Sequence, residues 1–314
     1  MNTLRIGTRK SQLALWQAEY VRAALLAQYP DITVELVPMT TQGDRIQDRT
    51  LLAVGGKGLF TKELEQALLQ NRVDLAVHSL KDVTVDMPDG LDIPVICERA
   101  DPRDAFVSNR FEQLRTLPPG GRIGTASLRR QAQLRHRYPH LQILDLRGNV
   151  NTRLAKLDDG EFDAIILAAA GLKRLGFGAR IRAYLDPNES LPAVGQGAIC
   201  LQTRADDSVT LARVAPLNHI ATQLCIRAER ALNAHLQGGC ALPIGGFAEL
   251  EGDRMHVRGF VGSRDGRTIL RAEMRGAATQ AERLGISVAS DLLDQGARDL
   301  LDSVRDHGPG AGTR

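Results

Sequence analysis

Aromatic residues are scarce in this chain: they make up 4% of its 314 residues, with a single tryptophan. Lysine is scarcer still, with six among 40 basic residues, so that 34 are arginine. No apolar run approaches the roughly 18 residues of a membrane-spanning helix, which argues against a membrane partner. There is no long polar or low-complexity tract, and 43% hydrophobic with 25% charged residues is a globular composition, which argues against disorder. The four cysteines, Cys97, Cys200, Cys225 and Cys240, form no Cys-x-x-Cys pair and have no His-rich segment at zinc spacing. They read as reduced thiols, and no metal is expected. At the N-terminus Leu4-Arg5-Ile6 enters a charged strand at once, with no apolar stretch before a cleavage site, so a cytoplasmic location is expected.

What is present is arginine in one place. The net charge is +3, yet from Arg122 to Arg153 seven arginines face a single acid, Asp145. That stretch alone carries +6 and the remainder about −3, which marks a region built for anions.

The length, about twice a typical domain of roughly 150 residues, predicts two or three compact units. A strand turning at Gly7-Thr8 leads to a helix opened by Ser11, whose expected apolar stripe is Leu13, Trp16, Tyr20 and Ala24. A strand over Ile32, Val34 and Leu36 follows. The polar stretch from about Gln42 to Gly58 has no clear period and reads as a lid or a solvated loop. Thr61 to Gln70 reads as a helix and Asp74-Leu75-Ala76-Val77 as a buried strand. Strands alternating with helices mean α/β. Two echoes then appear. Arg5-Ile6-Gly7-Thr8 with Ser11 recurs as Arg122-Ile123-Gly124-Thr125 with Ser127, and Asp74-Leu75-Ala76-Val77 resembles Asp163-Ala164-Ile165-Ile166. Two similar α/β lobes around a cleft explain both. The expected division is a discontinuous first lobe over 1–97 and 198–216, an Arg-rich second lobe over 98–197, and a small α+β third domain over 217–314 that carries Cys240. No sustained heptad or exposed apolar stripe calls for a second copy, so a monomer is expected.

The segment from Gly124 to Arg130 combines a tight turn, the hydroxyls of Thr125 and Ser127, and the guanidinium groups of Arg129 and Arg130 at a helix N-terminus. Unpaired backbone N–H groups favour an anion there, and arginine adds bidentate recognition of carboxylate or phosphate. Arg147 and Arg153 flank a similar polar turn. Gly55-Gly56-Lys57-Gly58 lacks the spacing of a nucleotide loop. Basic residues without interleaved aromatics lack a stacking platform, which argues against nucleic acid. Asp82, with Ser79 and Lys81, lies just past a strand's carboxyl end, where open α/β sheets place ligand chemistry. An ordinary turn carboxylate is the plain alternative. A carboxylate beside arginine and lysine is suited to stabilising a developing cation. Cys240, in a Gly-Gly-Cys loop, is a reachable thiol able to carry a covalent ligand.

These segments, with Val54 to Phe60, Leu146 to Arg153, Asp163 to Gly176, Leu191 to Gly197 and Gly238-Gly239-Cys240, resemble the porphobilinogen deaminases over essentially the whole chain. The resemblance implies two lobes like those of periplasmic binding proteins plus a third domain. It also implies a hydroxymethylbilane synthase, which condenses four porphobilinogen molecules head to tail with loss of ammonia. A dipyrromethane cofactor is implied on Cys240 through a thioether, with Asp82 as the catalytic aspartate. The matching cofactor positions are Ser79, Lys81, Asp82, Thr125, Ser127, Arg129, Arg130, Arg153 and Arg174; those for substrate are Arg9, Ser11, Gln17, Arg147, Arg153 and Gln196. Two positions depart from the family pattern: Thr84 replaces the usual Pro, and Gln202 stands where many relatives carry Glu. Two other readings stay open, a two-lobed binding protein for small carboxylates and a phosphoribosyltransferase on a related fold.

Overall fold

A computed structural model describes residues 3–45, 58–239 and 241–306, which divide into two compact units. Among the described residues, the first holds 3–45, 58–100 and 197–223, and the second holds 101–196 and 224–306. The expected lid falls mostly outside the described residues; its start, Gln42–Arg45, is a short helix.

The first unit is built on β1 (Thr3–Arg9), β2 (Thr33–Met39), β3 (Leu75–Ser79), β4 (Leu91–Ile96) and a later strand, β10 (Ile199–Arg204), in the order β2, β1, β3, β10, β4. β1 pairs in parallel with β2 and β3, whereas Ile199–Arg204 runs antiparallel to β3 and β4. Strands β1 and β3 supply buried Leu4, Ile6, Leu75 and Val77 to one face of the sheet, and Ala76 of β3 is buried in a separate cluster on the other. Helix α1 (Gln12–Gln28), followed in this unit by the short α2 (Gln42–Arg45) and α3 (Lys62–Leu69), begins at Ser11, whose hydroxyl accepts from the Ala14 amide at 3.3 Å.

The face of α1 differs from the expected stripe. Ala14, Ala18, Val21 and Leu25 are buried, while Trp16 and Tyr20 lie outside at 38% and 41% exposure and stack at 5.7 Å. The buried face is displaced by about one residue from Leu13, Trp16, Tyr20 and Ala24. Alanine and valine leave room for the helix backbone to approach the sheet, which large rings do not.

The second unit repeats the plan. Its sheet places β5 (Asp104–Val107), β6 (Arg122–Gly124), β7 (Gln142–Leu144), β8 (Ala164–Ala168) and β9 (Ile181–Tyr184) in the order β7, β6, β8, β5, β9. β6 is parallel to β7 and β8, and β5 is antiparallel to β8 and β9, matching the first sheet strand for strand. Both sequence echoes therefore fall on equivalent strands. Their shared Asp has one job in each unit: Asp74 accepts from the Arg5 amide and Asp163 from the Arg122 amide, both at 2.8 Å, where the strands begin to pair.

The second unit also contains an antiparallel sheet of β11 (Ile244–Glu251), β12 (Arg254–Gly262) and β13 (Ile269–Ala277). Helices Ile220–His235, Ala281–Asp294 and Ala297–Asp306 cover it, with Leu232, Val257, Val261, Val288 and Leu292 at the core. This sheet docks on α4 (Leu128–Arg137): Arg135 donates to the Arg264 carbonyl at 2.6 Å, and Ala132 packs with Leu191, Phe247 and Phe260.

Candidate functional site

In the first unit the chain leaves β1 at Arg9 and β3 at Ser79, and their carboxyl ends bring together most of the residues singled out there. Arg9, Ser11, Gln17, Ser79 and Asp82 line one cavity, with Leu13, Ala14, Phe60, Val77 and His78. Gln17 is buried on α1 and its amide donates to the Ser79 hydroxyl at 2.8 Å, fixing the end of β3. Asp82 closes the single turn Leu80–Asp82 that follows, half-buried, with Oδ2 3.8 Å from Arg9 Nη1. Lys81 is half-buried in the same turn. The Arg9 guanidinium stands 4.3 Å over the Phe60 ring and donates to Asp44. Burial alone would raise the Asp44 carboxyl, but its bonds from Arg9 and Thr41 outweigh that and hold it below the ordinary range. Asp44 gave no signal in the sequence and Phe60 figured there only within the segment Val54 to Phe60, because both lie at the ends of a stretch without periodicity.

Behind this cavity His78 is buried on β3, its Nε2 3.0 Å from Gln202 Oε1. Burial pushes its imidazole down to about 4 from 6.5, against the pull of the Gln202 hydrogen bond and the Asp82 charge. A glutamate at 202 would add a negative charge and favour the imidazolium, so Gln202 suits a neutral His78. The other departure, Thr84, donates its hydroxyl to the Asp86 carbonyl at 2.8 Å, a local tie within the turn. Between pH 6.5 and 4 the unfolded chain holds a proton on His78 that the folded chain refuses. Stability is therefore level in this respect above pH 6.5 and falls by roughly 3 kcal/mol as pH drops to 4. Urea unfolding at pH 7 and 4.5 checks this: the wild type should lose stability across that step, and H78Q should lose that much less. Equal losses in both proteins would show His78 is not responsible.

In the second unit the arginines are disposed differently from the expected open patch. Arg129 and Arg130 turn inward from the first turn of α4 and are 3% and 5% exposed. Both grip Asp104, the first residue of β5, which is fully buried. Asp104 accepts from Arg129 at 2.9 and 3.1 Å and from Arg130 at 2.9 and 2.7 Å. It also accepts from the Ser190 hydroxyl at 2.8 Å and the Gln196 amide at 2.9 Å. Burial would raise this carboxyl; the two guanidinium groups overcome it and hold it far below the carboxylate range. Two cations on one anion leave a net positive charge inside the unit, and Arg129 Nε has no hydrogen-bond partner among the described residues.

The remaining candidates lie at the strand-to-helix turns of this sheet. Thr125 is buried, and its hydroxyl is 3.4 Å from the amide of Ser127, the residue that precedes α4. Arg147 is half-buried, 3.9 Å from Asp145. Arg153, on the helix Val150–Asp158, donates to the Gly148 carbonyl at 2.7 Å, and Gly148 there has φ +108°. Arg174 ends the short helix after β8, half-buried. Cys240 lies outside the described residues. Among the described residues no His, Cys, Asp and Glu group is placed to hold a metal ion, and no helix is long and apolar enough to cross a membrane.

Residues 4–212 match the family model for the porphobilinogen deaminase dipyrromethane cofactor binding domain, and residues 223–294 match that for the porphobilinogen deaminase C-terminal domain. The chain belongs to the porphobilinogen deaminase family. It is accordingly a transferase, a hydroxymethylbilane synthase, that joins four porphobilinogen molecules with loss of ammonia and uses a dipyrromethane cofactor. Several solved structures are also similar to this chain. The methionine binding protein MetQ is 14% identical with a TM-score of 0.45, over 69% of this chain and 89% of its own. The periplasmic VFT2 domain of Bordetella pertussis BvgS is 15% identical with a TM-score of 0.41, over 68% of this chain and 86% of its own. Immunogenic lipoprotein A from Vibrio vulnificus is 14% identical with a TM-score of 0.45, over 68% of this chain and 94% of its own.

Proposed function

We propose that Asp82 is the catalytic carboxylate of this porphobilinogen deaminase and that Cys240 carries the dipyrromethane through a thioether. The observation that carries the reading is the placement of Asp82 beyond the carboxyl end of β3, half-buried, beside Arg9 and in the cavity that Ser79 and Gln17 also line. Each unit by itself offers donors that suit acetate and propionate side chains. Arg9 and Ser11 in the first unit, and Ser127, Arg147, Arg153 and Arg174 in the second, are half-buried hydroxyls and guanidinium groups at strand ends. Charge-assisted hydrogen bonds from such groups contribute roughly 1.5–3 kcal/mol each. Thr125, Ser79 and Lys81 complete the cofactor set, and Gln17 and Gln196 the substrate set. Arg129 and Arg130, occupied with Asp104, contribute positive potential and the unpartnered Arg129 Nε. The bound cofactor supplies the pyrrole ring that begins the chain.

In this reading Arg9 orients Asp82 and substrate carboxylates. Asp82 stabilises the positive charge left on the substrate when ammonia departs, and then accepts a proton from the joined ring at its carboxylate oxygen. Residues 217–314 act as a third domain that presents Cys240, and the protein works as a cytoplasmic monomer.

Intact-protein mass spectrometry tests the assignment of the thiol. The wild type should carry an adduct of two pyrrole units that is lost in C240S. An active wild-type chain of unmodified mass would end the cofactor assignment.

A further inference from the structure

Glu229, on the helix Ile220–His235, is fully buried, yet it lies outside every motif that marked the site. Its two carboxylate oxygens hold two backbone amides: Oε2 accepts from Gly195 at 2.7 Å and Oε1 from Ala248, on β11, at 2.9 Å. Gly195 has φ +72°, the left-handed region, and is followed by Gln196, the last residue of the second unit before the chain passes to the first. The Gln196 amide donates to Asp104 Oδ1 at 2.9 Å and to the Pro102 carbonyl at 2.6 Å. Pro102 is the second residue after the chain enters the second unit at Asp101. One amide therefore joins both passages of the chain to the anion that holds Arg129 and Arg130.

We propose that Glu229 is a positioning residue for chain elongation. By clamping Gly195 it sets Gln196, and through Gln196 it sets the Asp104, Arg129 and Arg130 cluster, so pyrrole additions depend on it although it touches no substrate. The inference rests on the proposed function, in which that cluster supplies positive potential to a growing set of carboxylates. Glutamine keeps the size of Glu229 but offers one acceptor in place of two, so one of the two amides meets an NH2 group instead of an oxygen.

The experiment adds limiting porphobilinogen to the cofactor-bearing enzyme and follows the covalent forms by intact mass, with thermal unfolding in parallel. E229Q should keep its cofactor adduct and remain folded at the assay temperature, while elongation slows roughly 3- to 30-fold and partly extended forms accumulate. Because Glu229 acts through Gln196, E229Q/Q196A should be no slower than the slower single variant, within about twofold. Wild-type elongation by E229Q, or single effects that multiply in the double variant, would overturn the proposal. If E229Q does not fold, Q196A, which leaves Glu229 and its two backbone bonds in place, carries the test; because Gln196 also belongs to the substrate set, a lower kcat at unchanged KM supports the proposal, and elongation at the wild-type rate or a change confined to KM overturns it. A wild type that shows no mass ladder would instead refute the proposed function.

Discussion

Asp104→Asn is expected to lower the unfolding free energy by roughly 3–5 kcal/mol, the largest stability loss of any single substitution at the site. The carboxylate neutralises one of two guanidinium groups that are almost fully withdrawn from water. Asparagine removes that charge and leaves both cations buried. It also places an NH2 group where an oxygen accepts four hydrogen bonds or two, whichever way the amide turns, so donors meet a donor. Urea unfolding should show a midpoint shifted down with an unchanged slope, as expected when the native state alone is affected. Asp163→Asn is the contrast. Its ion pairs are made with Arg110 and Arg122, whose side chains are 66% and 41% exposed, and such pairs contribute at most about 1 kcal/mol each. Equal losses in the two variants would mean that burial of Arg129 and Arg130 is not what makes Asp104 matter.

Asp104 also shows where the sequence stopped being readable. Charge summed along the chain counted seven arginines against one acid from Arg122 to Arg153. The anion that compensates two of them comes from the start of another strand, outside that window, so a linear count exaggerated the open charge. The sheet pairs were legible because the same local device, an Asp accepting from an Arg amide, is written twice, at Asp74 and Asp163. The place of Asp82 and Ser79 at the carboxyl end of β3 was legible because the apolar run Leu75-Ala76-Val77 marks a buried strand and the polar residues after it mark its end. The face of α1 was misread because close helix-to-sheet packing selects Ala14 and Ala18 over Trp16 and Tyr20. Glu229 left no signal at all: a lone acid on an amphipathic helix reads as solvated, and only the tertiary fold reveals the amides of Gly195 and Ala248 around it.

Asp82→Asn is expected to lower kcat by about 10²- to 10³-fold with little change in stability. The half-buried carboxylate is bonded to the protein chiefly through its 3.8 Å pair with Arg9, a contact too long and too exposed to contribute much to folding. In the proposed role its worth lies in the reaction. Positive charge develops on the substrate ring as ammonia leaves, and a fixed anion beside it stabilises that charge more than it stabilises the neutral ground state. Asparagine keeps the shape and removes both the charge and the proton acceptor. Asp82→Glu keeps both but displaces the oxygens, so it should retain more activity than Asn. Arg9 remains paired with Asp44 in either variant, so substrate affinity should change less than kcat.

The most direct measurement combines intact mass with a single addition of porphobilinogen. D82N purified with its cofactor attached should show the same resting mass adduct as the wild type, less the substitution. On mixing with one equivalent of porphobilinogen, the wild type should gain one pyrrole unit within a turnover while D82N gains it at least 100 times more slowly. A D82N enzyme that carries the adduct and extends it at the wild-type rate would contradict the assignment of Asp82 to the bond-forming chemistry.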